Sequence, residues 1–460
     1  MKRNTKNIAA MLLMAAAAFV GSSCENDNIN PYEYNNNGSN QNQGSTEVLK
    51  TKIAEYPVGS VVWTKDTTLT ESVEIPVGTS LYIEPGVTVT CKSDVQVPIE
   101  IVVLGNLYCM GTAEHPVPFT SDTKKTEDWG GIICGYNSQE VVLNNVDLAY
   151  AGATPTESSA SFQNHLFKST IDGGVPAFHF CNVNGKFVMA NSFLHDNYND
   201  QTYFTGGQGV IYNCIFADNG NATDGGEAIN VKAGCKLDIA NNIIYNACTN
   251  AFKLSNSGNS ELIPLTQLTA YNNTIVNCGW RRAKNKKGGS VWLEKAIAPT
   301  FVNNLVYDCR YGLKQPKKDG ADIEHSTVAP NYYFASTETG VKQMSKDADM
   351  IIWNDNDIKS SVAGQLNPLL KNFKQSDKMN INCEIDNVQQ GAPLAFDRSW
   401  NFNLQQGSPA LSGGFTGIQR IFPTGLAFFG MKKVMFLDNC NDQNYYFAAP
   451  IPTTQFGAAL

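Results

Sequence analysis

The sequence predicts an all-β chain wound into a single-stranded right-handed parallel β-helix, with loop excursions and an aromatic-rich C-terminal cap. Three observations predict it. Beyond about residue 60 no helical periodicity is sustained, and short apolar or alternating runs are cut by Asn, Gly and Asp. One Asn-led pattern recurs: Asn191-Ser192-Phe193-Leu194, Asn213-Cys214-Ile215-Phe216, Asn241-Asn242-Ile243-Ile244, Asn273-Thr274-Ile275-Val276 and Asn303-Asn304-Leu305-Val306. Its intervals are 22, 28, 32 and 30 residues, the spacing of stacked units that cannot bury their apolar faces alone. Finally, neither hairpin signals nor a blade motif appears, which sets aside sandwiches and propellers.

Taken from the amino terminus, Lys2, Arg3 and Lys6 precede thirteen apolar residues, Ile8 to Val20, and then Gly21-Ser22-Ser23-Cys24. Thirteen residues are too few to span a bilayer, so 1–23 reads as a signal peptide. The small residues before Cys24 resemble a bacterial lipoprotein signal, which implies lipidation of Cys24 and a membrane anchor. Glu25-Asn26-Asp27-Asn28 resembles a surface-export signal of Bacteroidetes lipoproteins. Residues 24–47, with eight Asn between 25 and 46, form a flexible tether. The expected location is the cell outer membrane, lipid-anchored and surface-exposed. Loss of the leader would take the net charge from −8 to −11, which argues against a nucleic-acid partner.

Residues 48–414 hold the β-helix. Each repeat Asn is expected at a turn, where it tolerates left-handed backbone and bonds to neighbouring peptides. Two residues on, Phe193, Ile215, Ile243, Ile275 and Leu305 are expected to stack along the axis. Eleven cysteines follow Cys24, without a C-x-x-C pair, and read as buried thiols rather than disulfides or a metal site. Residues 325–365 leave the pattern, with a short helix expected near Thr339 to Ala348. Residues 415–460 carry Phe422, Phe428, Phe429, Phe436, Tyr445, Tyr446 and Phe447, and read as the cap over the open end of the coil.

Several stretches resemble a family of Bacteroidetes cell-envelope lipoproteins of the right-handed parallel β-helix repeat type. These are Leu81-Tyr82-Ile83-Glu84-Pro85-Gly86-Val87, Val103-Leu104-Gly105-Asn106-Leu107, Gly111-Thr112-Ala113-Glu114-His115-Pro116-Val117 and Trp129-Gly130-Gly131-Ile132. Phe402 to Ala410 resembles the family's closing rung. The resemblance spans roughly residues 60–415 and implies fold, not activity.

Parallel β-helices include pectate lyases and polygalacturonases, so polar clusters are candidate active sites. The densest holds His195, Asp196, Asp200, Asp218, Asp224, Glu227 and Lys232. Asp196, Asp224, Glu227 and Lys232 are the catalytic candidates, for a lyase base or a carboxylate pair. The lyase alternative brings calcium with it; no other cofactor and no metal site is expected. Against these candidates, Asp-Asn-Gly and Asp-Gly-Gly suit turns between rungs. Trp280, Arg281 and Arg282, followed by Lys284, Lys286 and Lys287, form a basic run that would grip an acidic polysaccharide, with Trp280 stacking on a sugar. The leading expectation is a non-catalytic surface lipoprotein that binds a glycan or protein, or serves in adhesion. A polysaccharide lyase or glycosidase is the alternative, and a structural envelope component the third.

Overall fold

A computed structural model of the chain describes residues 56–166, 173–220, 225–282, 288–373, 395–431 and 445–460. The leader, the tether with Cys24, Asp224, the lysines at 284–287, Cys383, Phe436 and Cys440 lie outside the described residues. The body from Ile53 onward is one compact unit.

Its strands are triplets to sextets in which apolar residues flank a variable centre: Phe178-His179-Phe180, Ile229-Asn230-Val231, Phe252-Lys253-Leu254. Successive side chains of a strand point to opposite faces, so such a triplet sends its ends one way and its centre the other. Three such strands make each turn of the coil. They stack into parallel sheets of nine, ten and nine strands, so the chain is a parallel β-helix. The interior column of the second sheet is in register as Leu194, Phe216, Ile244, Ile275 and Val306. With Phe178, Phe204, Ile229, Phe252 and others it fills one axial core. Each such fully buried side chain contributes about 1.5–3 kcal/mol.

The expected inward set needs correcting by one residue. Only Ile275 is in the core column. Phe193, Ile215, Ile243 and Leu305 pair in register with Thr274 on the outer face of the second sheet. They do not face water, because residues 396–404 and 456–458 cover them: Phe396, Trp400, Phe402, Leu404 and Phe456 join their cluster. The same shift makes Asn272, not Asn273, the counterpart of Asn241 and Asn303. Asn145, Asn191, Asn213, Asn241, Asn272 and Asn303 all have φ between 49° and 58°. Asn adopts this left-handed conformation more readily than most residues. Five residues later a second column turns the same way: Asp196, Asp218, Asn246, Asn277 and Asp308, with φ from 49° to 57°.

The residue after each left-handed Asn forms a ladder inside the coil. Asn242 Nδ2 donates to Asn273 Oδ1 at 2.9 Å, Asn273 Nδ2 to Asn304 Oδ1 at 2.9 Å, and Asn304 Nδ2 to Asn331 Oδ1 at 3.1 Å. Each Oδ1 also accepts the backbone N–H of the residue one turn back, and Asp357 accepts that of Asn331. The nine described cysteines are all buried, and no disulfide joins them. Cys278 and Cys309 stack as expected, but Ala247 rather than Cys248 belongs to their core column.

The C-terminal residues lie elsewhere than at the coil end. Residues 415–431 and 445–460 run along the flank. Ile421 and Phe422 donate N–H to Asp238, Phe429 and Gly430 donate to Glu140, and Tyr82 Oη donates to Gly430 O. This strap seals the outer apolar face of the first sheet, where Tyr82, Tyr108, Val142, Val188 and Val210 meet Leu426 and Phe428. A parallel sheet with two apolar faces needs cover on both, and that demand outweighs capping. The strand Asn401–Leu404, which overlaps the start of the expected closing rung (Phe402 to Ala410), instead pairs antiparallel with Leu370–Asn372. The coil end is closed by the 325–365 excursion, whose helix spans Glu338–Met344; Met344 and Ile352 enter the axial core.

Candidate functional site

The third sheet differs from the other two in what it sends outward. Its outer column runs in register as Val102, Ile133, His179, Tyr203, Asn230, Lys253, Trp292 and Lys314. At one end, Leu166 and Val175 from the 150–177 excursion cover Val102 and Ile133. At the other, Lys314 lies 3.4 Å over the Tyr311 ring and is paired with Asp347 at 3.0 Å. Between these covers, Tyr203, Asn230, Lys253 and Trp292 form a polar strip across the fifth to eighth turns.

Charged residues border the strip where each strand begins and ends. Asp200 and Glu227 precede their strands, Lys232 follows its own, and Glu294 is the last residue of Gly289–Glu294. Asp200 Oδ1 accepts the N–H groups of Gly226 and Glu227, each at 2.9 Å, and Oδ2 accepts Asn230 Nδ2 at 2.8 Å. Lys253 Nζ bridges Glu227 at 4.0 Å and Glu294 at 3.9 Å, and Trp292 Nε1 donates to Glu294 at 2.8 Å. Lys232 Nζ sits 5.4 Å over the Tyr203 ring.

Burial and the Asp200 charge push the Glu227 carboxyl up to about 8, against the pull of Lys253. Burial and the Lys253 charge bring the Lys232 ammonium down to about 8, opposed by Glu294, Glu227 and Asp200. The sign of each effect on stability is opposite. The folded protein holds the Glu227 proton more tightly than the unfolded chain, so stability falls as pH rises through the interval up to about 8. It holds the Lys232 proton less tightly, so that group's own contribution rises with pH above about 8, against the opposite contribution of the buried cysteine thiols, whose pKa values burial raises. The urea midpoint is expected to fall between about pH 5 and 8, and Glu227→Gln flattens that fall. An unchanged slope in that variant would remove Glu227 from the account.

The sequence candidates divide. Glu227 and Lys232 meet in this strip, together with Asp200. Asp224 lies outside the described residues. Asp196 does not join them: it occupies the left-handed turn after the second-sheet strand, and its carboxylate bonds His195 Nδ1 at 2.7 Å. Asp218 has the equivalent turn position one rung on and accepts Asn246 Nδ2 and Phe396 N. Turn chemistry accounts for both. The basic run is corrected more sharply. Trp280 is 4% exposed, with Nε1 donating to Asp308 O, so it offers no sugar platform. Arg281 bonds the carbonyls of Asn219, Gly220 and Asn246, bracing neighbouring turns. Arg282 is buried, and its carbonyl accepts Arg310 Nη1.

Lys253, Glu294, Trp292 and Asn230 were missed. The available signal was the central residue of each apolar-X-apolar triplet, read only after the turns are aligned. Among the described residues no group of three or more His, Cys, Asp or Glu side chains is placed to hold a metal ion. The calcium of the lyase alternative has no such cradle there.

A family model described as a pectate-lyase like beta helix domain matches residues 56–164, the first turns of the coil. No curated protein and no solved structure matches the chain. The matched stretch ends before Asp200, so it supports a pectate-lyase-like fold and the β-helix repeat resemblance, and says nothing of the polar strip.

Proposed function

We propose that this chain is a surface-exposed outer-membrane lipoprotein, tethered through Cys24, that captures a glycan on the third-sheet strip without cleaving it. The observation that carries the reading is the strip itself. The outer faces of the first and second sheets are apolar over most of their length and sealed by the chain's own C-terminal residues. The strip instead presents Lys253, Trp292 and Glu294 between two covers, with Lys253 and Glu294 side chains 27% and 21% exposed. A carboxylate, an ammonium and an indole suit sugar hydroxyls and a sugar face. Cations and anions nearly balance there, which favours a neutral glycan over a polyuronate.

A second reading, a polysaccharide lyase or glycoside hydrolase, has one observation in its favour. Glu227 and Lys232 are both drawn towards about 8, the range in which a side chain exchanges protons near neutral pH. Their burial, at 7% and 8% exposure, weighs against contact with a polymer. A purely structural envelope role is the remaining alternative.

Glycan-array binding with the mature protein tests the proposal. Saturable binding without product is expected, weakened about tenfold by Trp292→Ala or Lys253→Ala. Unsaturated or newly reducing ends from a bound glycan would transfer the assignment to catalysis. Absence of both binding and product would favour the structural role.

A further inference from the structure

At one edge of the coil the chain crosses from the third sheet to the first, and there the same small turn recurs. Pro57-Val58-Gly59-Ser60, Pro76-Val77-Gly78-Thr79, Gly135-Tyr136-Asn137-Ser138 and Asn182-Val183-Asn184-Gly185 are each closed by the N–H of the fourth residue on the carbonyl of the first, at 3.0, 3.0, 3.2 and 3.0 Å. Gly59 and Gly78, with φ of 86° and 78°, supply the left-handed third position that a Pro-X-Gly turn requires. The second residue is apolar each time. Val58 is fully exposed, Val77 and Tyr136 are each 59% exposed, and Val183 is half-buried. At the seventh crossing a longer loop, residues 256–266, carries Leu262 and Leu265 into solvent, the first 88% exposed. Phe429 of the strap is exposed beside the row, its N–H on Glu140, close after the Tyr136 turn. Successive turns lie about 4.8 Å apart, so the row from Val58 to Leu262 is about 34 Å long.

Negative charge is nearly missing from this edge of a chain whose net charge is −8. The crossings 57–60, 76–79, 104–105, 135–139, 181–185, 205–206 and 232–234 hold no Asp or Glu, and their one base, Lys232, is buried. Glu261, in the 256–266 loop, is the exception. The other two edges differ within the first turns: Lys65, Asp66 and Glu84 mark one, Glu71, Asp94 and Asp122 the other. Cations flank the row instead, Lys186 and Lys236 standing at the starts of their first-sheet strands. Exposed apolar rows with a polar rim are contact surfaces. Aliphatic and aromatic side chains beside lysines, with few acids to repel phosphate, fit the headgroup layer of a bilayer. A protein partner fits less well, because a standard interface takes about 20–30 residues a side and this is a single file. We infer that this edge docks on a lipid surface, so that the coil lies along the bilayer instead of standing off on its tether. The edge would act together with an anchor at Cys24 but does not need one, and it is independent of what the third-sheet strip binds.

The test uses the chain from Cys24 onward, made without acylation so that no anchor contributes, and vesicles of phosphatidylcholine and phosphatidylethanolamine. Co-sedimentation is expected to reach half-binding at lipid on the order of 1 mM. Leu262→Asp and Tyr136→Asp each weaken it about tenfold, while Glu71→Ala, on another edge, leaves it unchanged. All three positions are exposed, so the thermal midpoints stay where they are and the fold is kept. A nitroxide on Val77→Cys becomes more accessible to oxygen when vesicles are added, and one on Glu71→Cys does not. The inference is overturned if no binding appears up to about 20 mM lipid, if neither Asp variant weakens it, or if the two labels respond alike. A dimer in solution that Tyr136→Asp dissociates would give the edge to a second copy of the chain and equally overturn it.

Discussion

Asn273→Ala is expected to lower stability by about 3–5 kcal/mol, the largest effect of any single polar substitution in the coil. The side chain is fully buried and works in both directions along the axis. Its Oδ1 accepts the N–H and the Nδ2 of Asn242, and its Nδ2 donates to Ile239 O and Asn304 Oδ1. Alanine leaves the Asn242 amide, the Ile239 carbonyl and half of two neighbouring side chains without partners, at about 1–3 kcal/mol each where no water reaches. The urea midpoint should drop with the slope of the transition unchanged. A loss below about 1 kcal/mol would mean that the ladder is ornamental and the aliphatic column alone sets the stacking.

Glu140→Ala is expected to free the strap. This carboxylate accepts Tyr108 Oη at 2.8 Å and the N–H groups of Phe429 and Gly430 at 3.0 Å each, and pairs with Lys186 at 3.1 Å. Lys186 would keep the Ala427 carbonyl and the faces of Phe428 and Phe429 but lose its counter-charge. Breaking a pair this poorly hydrated costs about 3 kcal/mol. The expected readout is rapid proteolytic cleavage between Phe422 and Phe447, together with binding of a hydrophobic dye to the uncovered first-sheet face. Glu140→Gln keeps one acceptor and should be intermediate. Cleavage at the unsubstituted rate in both variants would show that apolar contacts at Leu426 and Phe428 hold the strap unaided.

How far the sequence revealed this molecule depends on which interaction is asked about. The parallel coil was legible because an Asn in a left-handed turn and a period near thirty residues are local, repeated signals. The facing of the strands was not, because Ile-Ile, Leu-Val and Phe-Leu pairs are apolar at both positions. With Phe193 and Leu194 equally apolar, the alternation that normally separates inside from outside is erased. A one-residue error at Asn272-Asn273 then followed, since both candidates are Asn. The strap was misplaced for the same reason: an apolar outer face cannot be inferred until facing is known, and without it the aromatic C-terminal residues seemed fit only for the coil end. At the strip, Glu227 and Lys232 stood out as charges near a turn. Lys253, Trp292 and Glu294 come from two later turns, and only strand register unites them. Trp280 and Arg281 misled because a dense basic run looks solvated, whereas each side chain is spent on a carbonyl of an adjacent turn.

The route of the strap alters how the coil should come apart. A solenoid whose units touch only their neighbours frays from its ends, each unit melting nearly on its own. Here one polypeptide segment is fastened at Asn303 by Phe415, at Asp238 by Ile421 and Phe422, and at Tyr82 by Gly430. Its return leg reaches Tyr271 through Pro450 and Asn241 through Ala459. Units far apart along the axis are thus tied by a shared cord, and the terminal ones cannot peel away while it holds. The array behaves as a single cooperative block.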